Sequence, residues 1–137
     1  MHKIKISADV SYLDEVFSFV NSVVEDLTAD KKFKINLNVV VEEIFVNIAN
    51  YAYPAGNGDA VISIFTENNK LTIEFRDTGI KFNPLEKSDP DITLSATERQ
   101  IGGLGIFLVK KTVDDISYRY EKNENILTIS KCWSEGM

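Results

Sequence analysis

Three short stretches hold the residue types that could do chemistry. In the run EIFVNIANY, Glu43, Asn47 and either Asn50 or Tyr51 stand at i, i+4 and i+7 or i+8. On a helix this spacing puts them on one face, a turn apart. A carboxylate one turn before an amide can orient an attacking group beside a hydrated Mg²⁺. That ion takes oxygen ligands, keeps several waters and completes its shell with substrate phosphates. The same spacing also describes an ordinary amphipathic helix with a solvated face. Asn47, however, sits among apolar residues, and a buried amide without a partner costs roughly a few kcal/mol. Asp77-Thr78-Gly79 follows LTIEFR directly. An aspartate at a strand end, with glycine allowing close backbone approach, can aim its carboxylate into a cleft and accept from an exocyclic amine such as that of adenine; the tripeptide is equally a plain turn. Gly102-Gly103-Leu104-Gly105 precedes IFLVKK. Glycines there allow a ligand close, and a helix start turns unpaired N–H groups toward anions. Leu108 occupies the place of the third glycine of a dinucleotide fingerprint, no strand leads into the loop, and a Walker A motif is absent. Arg99, three residues before the glycines, is a candidate to neutralise a triphosphate. Lys110 and Lys111 read as surface charges. Thr128 could bond a base or a bridging water, although threonine is common in strands.

The composition narrows what such groups can serve. The chain has 137 residues and a formal net charge of −6. That is room for one domain with its own core, and the charge argues against a nucleic-acid binder, which needs a basic face. One histidine, His2 at the extreme N-terminus, leaves no central histidine for a Ser-His-Asp triad. One cysteine, Cys132, allows no internal disulfide and fits a reducing compartment. Zinc sites of several His or Cys are excluded by count. No apolar run approaches the roughly 20 residues of a membrane span, and the N-terminus has no signal-peptide core. The expected location is cytosolic, with no membrane and no direct nucleic-acid partner.

The elements that would position these groups follow from periodicity. His2 to Ser7 alternates as a strand. Asp9 or Ser11 caps a helix to about Leu27, with Leu13, Val16, Phe17, Val20, Val23, Val24 and Leu27 on its apolar positions. ADKKFK reads as a polar connection. A second helix is expected from about Asn36 to Ala52, ending before Pro54. AVISIFTE and KLTIEFRD form a hairpin about Asn68-Asn69, and ISYRYE and NILTISKC a second one. From Thr78 to about Gly102 no period is sustained, and a loop of that length acts as a lid or binding loop. The glycines then enter a third helix. The order predicts an α+β two-layer sandwich: helices on one face of a mixed, mostly antiparallel sheet.

The succession of helical E-x-x-x-N, strand-D-x-G, long lid, G-x-G entering a helix and strand threonine resembles the Bergerat ATP-binding fold of the GHKL superfamily, the group of gyrase-type ATPases and histidine kinases. The resemblance runs from about residue 1 to residue 132, as a single ATP-binding domain. VVVEEIFVNIANYAYP looks like the N-box of the small anti-sigma factor serine/threonine kinases of the RsbW/SpoIIAB type, DTGIKFNP like their first glycine box, and GGLGIFLVKKTVDDISYRY like their second.

This resemblance implies roles residue by residue. Glu43 is the general base, chosen over Glu42 because it stands four before Asn47. Asn47 coordinates Mg²⁺. Asp77 reads the adenine amino group with Gly79 packed near the base. Gly103 and Gly105 present amides to the phosphates, with Gly102, Leu104 and Arg99 beside them, and Thr128 lies on the adenine side. Asn50 and Tyr51 line the same helix face. The implied cofactors are ATP and Mg²⁺. The implied activity is transfer of the γ-phosphoryl group to a small anti-anti-sigma protein of the STAS fold, which competes with a sigma factor for this chain. Small kinases of this branch are often dimers, and the apolar positions of the first strand and helix are candidates for that surface. Two other readings stay open: a nucleotide-binding interaction module without phosphotransfer, and an ATP hydrolase or detached histidine-kinase catalytic domain.

Overall fold

Alternation between buried and half-buried residues along the strands shows which sheet face carries the core. A computed structural model describes residues 1–54, 56–86 and 103–134, with the backbone alone for Gly103 and Leu104. The strands are β1 (His2–Ser7), β2 (Asp59–Glu67), β3 (Lys70–Asp77), β4 (Asp115–Glu121) and β5 (Glu124–Cys132). They pair in the order β1-β2-β3-β5-β4, and every pairing is antiparallel. The expected sheet is present and, among the described residues, has no parallel pairing of the kind a mixed sheet allows. Leu71, Ile73 and Phe75 of β3 face the same side as Ile62 and Ile64 of β2 and Leu127 and Ile129 of β5, and all are buried. Glu74, Arg76 and Arg119 take the opposite face, where Arg76 pairs with Glu74 and Glu124.

Among the described residues, three helices cover the apolar face. These are α1 (Leu13–Val24), α2 (Lys31–Tyr51) and α3 (Gly103–Thr112). Val16 and Val20 of α1, Leu37, Val41, Ile44 and Phe45 of α2, and Val109 of α3 join the strand residues in one core. Asp9 caps a single 3₁₀ turn, Val10–Tyr12, and not α1 itself, which ends three residues short of Leu27. The larger departure is at α2. ADKKFK is not a connection: Asp30 accepts from the Phe33 amide, and the helix starts at Lys31, with Phe33 already in the core. The β4–β5 turn puts Lys122 and Asn123 at φ 54° and 64°, the twist a two-residue hairpin needs.

Two staples fix the end of α2 against β3. The Tyr53 hydroxyl donates to the Asp59 carbonyl and accepts from the Thr78 amide. The Ile80 amide donates to the Ala52 carbonyl, and a Cβ on Gly79 would stand 2.2 Å from that same oxygen. Only glycine lets the chain leave β3 so close to the helix end. The consequence is functional: the polar face of α2 and the carboxylate of Asp77 open onto the same hollow.

Candidate functional site

The hollow has two compartments that share a wall. The inner one is bounded by Ile44, Ile48 and Phe75 on the core side and by Asp77 and Asn125 at its polar end. The outer one is lined by Glu43, Val46, Asn50, Gly105 and Ile106. Asn47 and Tyr51 line both. The i, i+4, i+8 face of α2 therefore runs from outer to inner compartment, with Glu43 at one end and Tyr51 at the other. Asn50 is exposed and reaches only the outer compartment.

Glu43 stands against the first turn of α3. A Cβ on Gly105 would fall 2.2 Å from Glu43 Oε2, so glycine makes room for the carboxylate. Burial raises the Glu43 carboxyl above its ordinary range, and the like charge of Glu42 raises it further. A carboxylate so placed is a better proton acceptor than a solvated one, as a general base near neutral pH must be. Among the described residues neither Glu43 nor the Asn47 amide has a hydrogen-bond partner, and no three acidic, His or Cys side chains cluster as a metal cage. One amide oxygen beside one carboxylate is a donor set that suits an ion keeping most of its shell as water and phosphate.

The inner end is built differently, as a closed polar network. Asp77 is 7% exposed and Asn125 6%. Asn125 lies directly across from Asp77 in the β3–β5 register. Its Nδ2 donates to Asp77 Oδ1 at 2.9 Å and to the Ile80 carbonyl at 2.8 Å. Its Oδ1 accepts from the Phe82 amide and from the Tyr118 hydroxyl. Asp77 Oδ1 also accepts from the Gly79 amide at 3.0 Å. Burial raises the Asp77 carboxyl, the Asn125 and Gly79 hydrogen bonds oppose that rise, and nearby Glu124 adds to it. Tyr118 is likewise held protonated by burial, which keeps its hydroxyl a donor.

Glu43, Asn47, Tyr51, Asp77 and Gly105 thus surround one hollow, with Gly79 packing behind it and Gly103 opening α3. Thr128 does not join them. It pairs with Glu74 and Ser117 on the far face of the sheet, where its buried Oγ1 has no partner among the described residues. The position facing the hollow is Asn125, three residues earlier. Sequence parity could not reveal this, because β5 is apolar on both faces: Ile126, Leu127 and Ile129 are all buried. Tyr118 was missed for a related reason, since alternate tyrosines in ISYRYE look like half-exposed strand positions. Arg99 and Gly102, with most of the lid, lie outside the described residues, as does the Leu104 side chain.

Known proteins agree with this architecture. Residues 6–131 match the family model described as histidine kinase-like ATPase domain. The chain is 25% identical over 97 residues to the serine-protein kinase RsbW of Listeria monocytogenes, an alignment covering 67% of this chain and 62% of that protein. It is 27% identical over 96 residues to RsbW of Bacillus thuringiensis, covering 67% and 60%. The serine/threonine-protein kinase BtrW of Bordetella bronchiseptica is 22% identical over 100 residues, covering 72% and 70%. The aligned region thus spans about three fifths of the RsbW relatives' length.

Proposed function

Because the chain belongs to the histidine kinase-like ATPase domain family, we propose that it is an ATP-dependent protein serine/threonine kinase that phosphorylates an anti-anti-sigma partner of the STAS fold and sequesters a sigma factor. The proposal includes a cytosolic location; among the described residues no helix is long and apolar enough to cross a membrane. The observation that supports it best is the graded hollow. A carboxylate raised by burial faces the outer compartment against a glycine, and a buried aspartate faces the inner one, with Asn47 between them.

In this reading the purine enters the inner compartment against the apolar wall of Ile44, Ile48 and Phe75. Asp77 Oδ2, which takes neither of the hydrogen bonds held by Oδ1, accepts from the exocyclic amine. The phosphates occupy the outer compartment, toward the backbone at the start of α3. Asn47 would hold Mg²⁺, which when bound neutralises phosphate charge. The partner's hydroxyl approaches the γ-phosphorus in line, Glu43 accepts its proton, the bond from the γ-phosphorus to the β,γ-bridging oxygen breaks to release ADP, and the charge on the transferring group meets the α3 amides. Added phosphate charge on the partner then weakens its interface with this chain.

The deciding experiment uses γ-labelled ATP and a purified STAS-fold protein, preferably one encoded beside this chain. Label should appear on the partner and fall at least about a hundredfold with Glu43→Gln, the scale of a lost general base. Binding without any transfer would favour the interaction-module reading, and transfer undiminished by the substitution would remove Glu43 from the role of base.

A further inference from the structure

We propose that Asn125 is the positioning residue for base recognition: its buried amide locks one oxygen of Asp77, leaves the other aimed at the purine amine, and ties that geometry to the root of the lid at Ile80 and Phe82. The inference rests on the nucleotide reading above and goes beyond it, since it assigns selectivity to a side chain that does not itself meet the base's amine.

The argument is one of hydrogen-bond capacity. A side-chain amide has two N–H donors and an oxygen with two lone pairs. Asn125 uses all four, on Asp77 Oδ1, the Ile80 carbonyl, the Phe82 amide and the Tyr118 hydroxyl. The Phe82 amide can only donate and the Ile80 carbonyl can only accept, so the amide has one satisfiable orientation. With Nδ2 fixed toward Asp77, and Gly79 donating to the same atom, Oδ1 is occupied twice. The carboxylate cannot rotate without leaving buried donors unpaired, which costs about 1–3 kcal/mol for each group. Oδ2 is then a pre-set acceptor. Tyr118, from the neighbouring strand, closes the network. Ile80 and Phe82 also line the inner compartment, so the network joins its polar end to the first residues of the lid.

A merely structural Asn125 and a positioning Asn125 predict different things. The probes are ATP and purine riboside triphosphate, which has the same ring without the exocyclic amine. Both are measured by calorimetry on the full chain, with melting curves alongside. The wild type should prefer ATP by about tenfold or more, as a buried acceptor rejects a ligand lacking its donor. Asn125→Ala should bring that ratio to within about threefold, lowering ATP affinity far more than that of the analogue. A structural role would weaken both equally and keep the ratio, which would overturn the proposal. Should Asn125→Ala melt out, Asn125→Asp decides. Its carboxylate faces Asp77, with Glu124 and Tyr118 the other titratable neighbours. Ionised, it repels Asp77; protonated, it restores a donor to Oδ1. The ratio should therefore climb as pH falls from 8 to 6 in this variant and stay flat in the wild type, and a flat variant profile overturns the assignment. If the wild type binds neither nucleotide, the nucleotide reading and this one fail together. If it prefers ATP and the ratio survives both substitutions, only this one fails.

Discussion

The surroundings of Glu43 are set by burial and by two neighbours, Gly105 and Glu42. Gly105 leaves the room its carboxylate fills, and Glu42 supplies a like charge that, with burial, keeps its carboxyl above the ordinary range. The sign of the resulting pH dependence follows directly. A general base works only when ionised, so phosphotransfer should decline as pH falls through the raised Glu43 value. Glu42→Gln removes one of the two causes, so the value moves down and the acidic limb of the kcat/KM profile should shift to lower pH, with the neutral plateau kept. An unmoved limb would mean that burial alone sets the value, or that another group titrates. Stability has the opposite sense. Ionised Glu43 costs the folded state something above its folded value, and that cost is relieved as pH falls through it. Glu43→Gln is therefore expected to abolish transfer without lowering the melting temperature at neutral pH.

At the scale of elements, α2 carries the site, and its N-terminus is where sequence reading fell short. Polar ADKKFK looked like a connection because propensity and charge dominate a short window. The structure turns it into a helix start, because Asp30 caps the Phe33 amide through Oδ1 and holds the Ser134 amide through Oδ2. The second contact, 104 residues away in sequence, is invisible to any local pattern. Phe33 then stacks edge-on against Trp133, ring centres 5.7 Å apart. Asp30→Ala should lower the melting temperature by about 3–5 °C, as the loss of a helix cap does. These hydrogen bonds hold the Asp30 carboxyl below its usual value, so its contribution is present above the unfolded value and lost as pH falls through the folded one. The gap between wild type and variant should close in acid; a gap constant down to pH 2 would exclude the carboxylate cap as its source. What was legible was periodic: the alternation of β1 and of both hairpins, the i, i+4 stripe of α2, and the glycines at α3. What was not legible depended on pairing across the sheet. Asn125 and Thr128 differ in face, and only the register with β3 assigns them.

Across the whole molecule, the hollow is bounded by α2, β3, β5 and α3, elements far apart in sequence, so a ligand bound there stabilises the folded state against a chain in which no such site exists. Mass action sets the size: at a hundred times Kd, about 2.7 kcal/mol, or roughly 10 °C in melting temperature for a domain of this size. The division of that shift tests where the metal sits. Asp77 and the apolar wall need no cation, so ATP with EDTA should keep a smaller share of the shift. The remainder should require Mg²⁺ and pass through Asn47, which lines both compartments and has no partner among the described residues. Asn47→Ala should then show the same small shift with Mg²⁺ as with EDTA, while the nucleotide-free protein melts as wild type does. A full Mg²⁺-dependent increment in the variant would move the cation away from Asn47 and onto groups outside the α2 face.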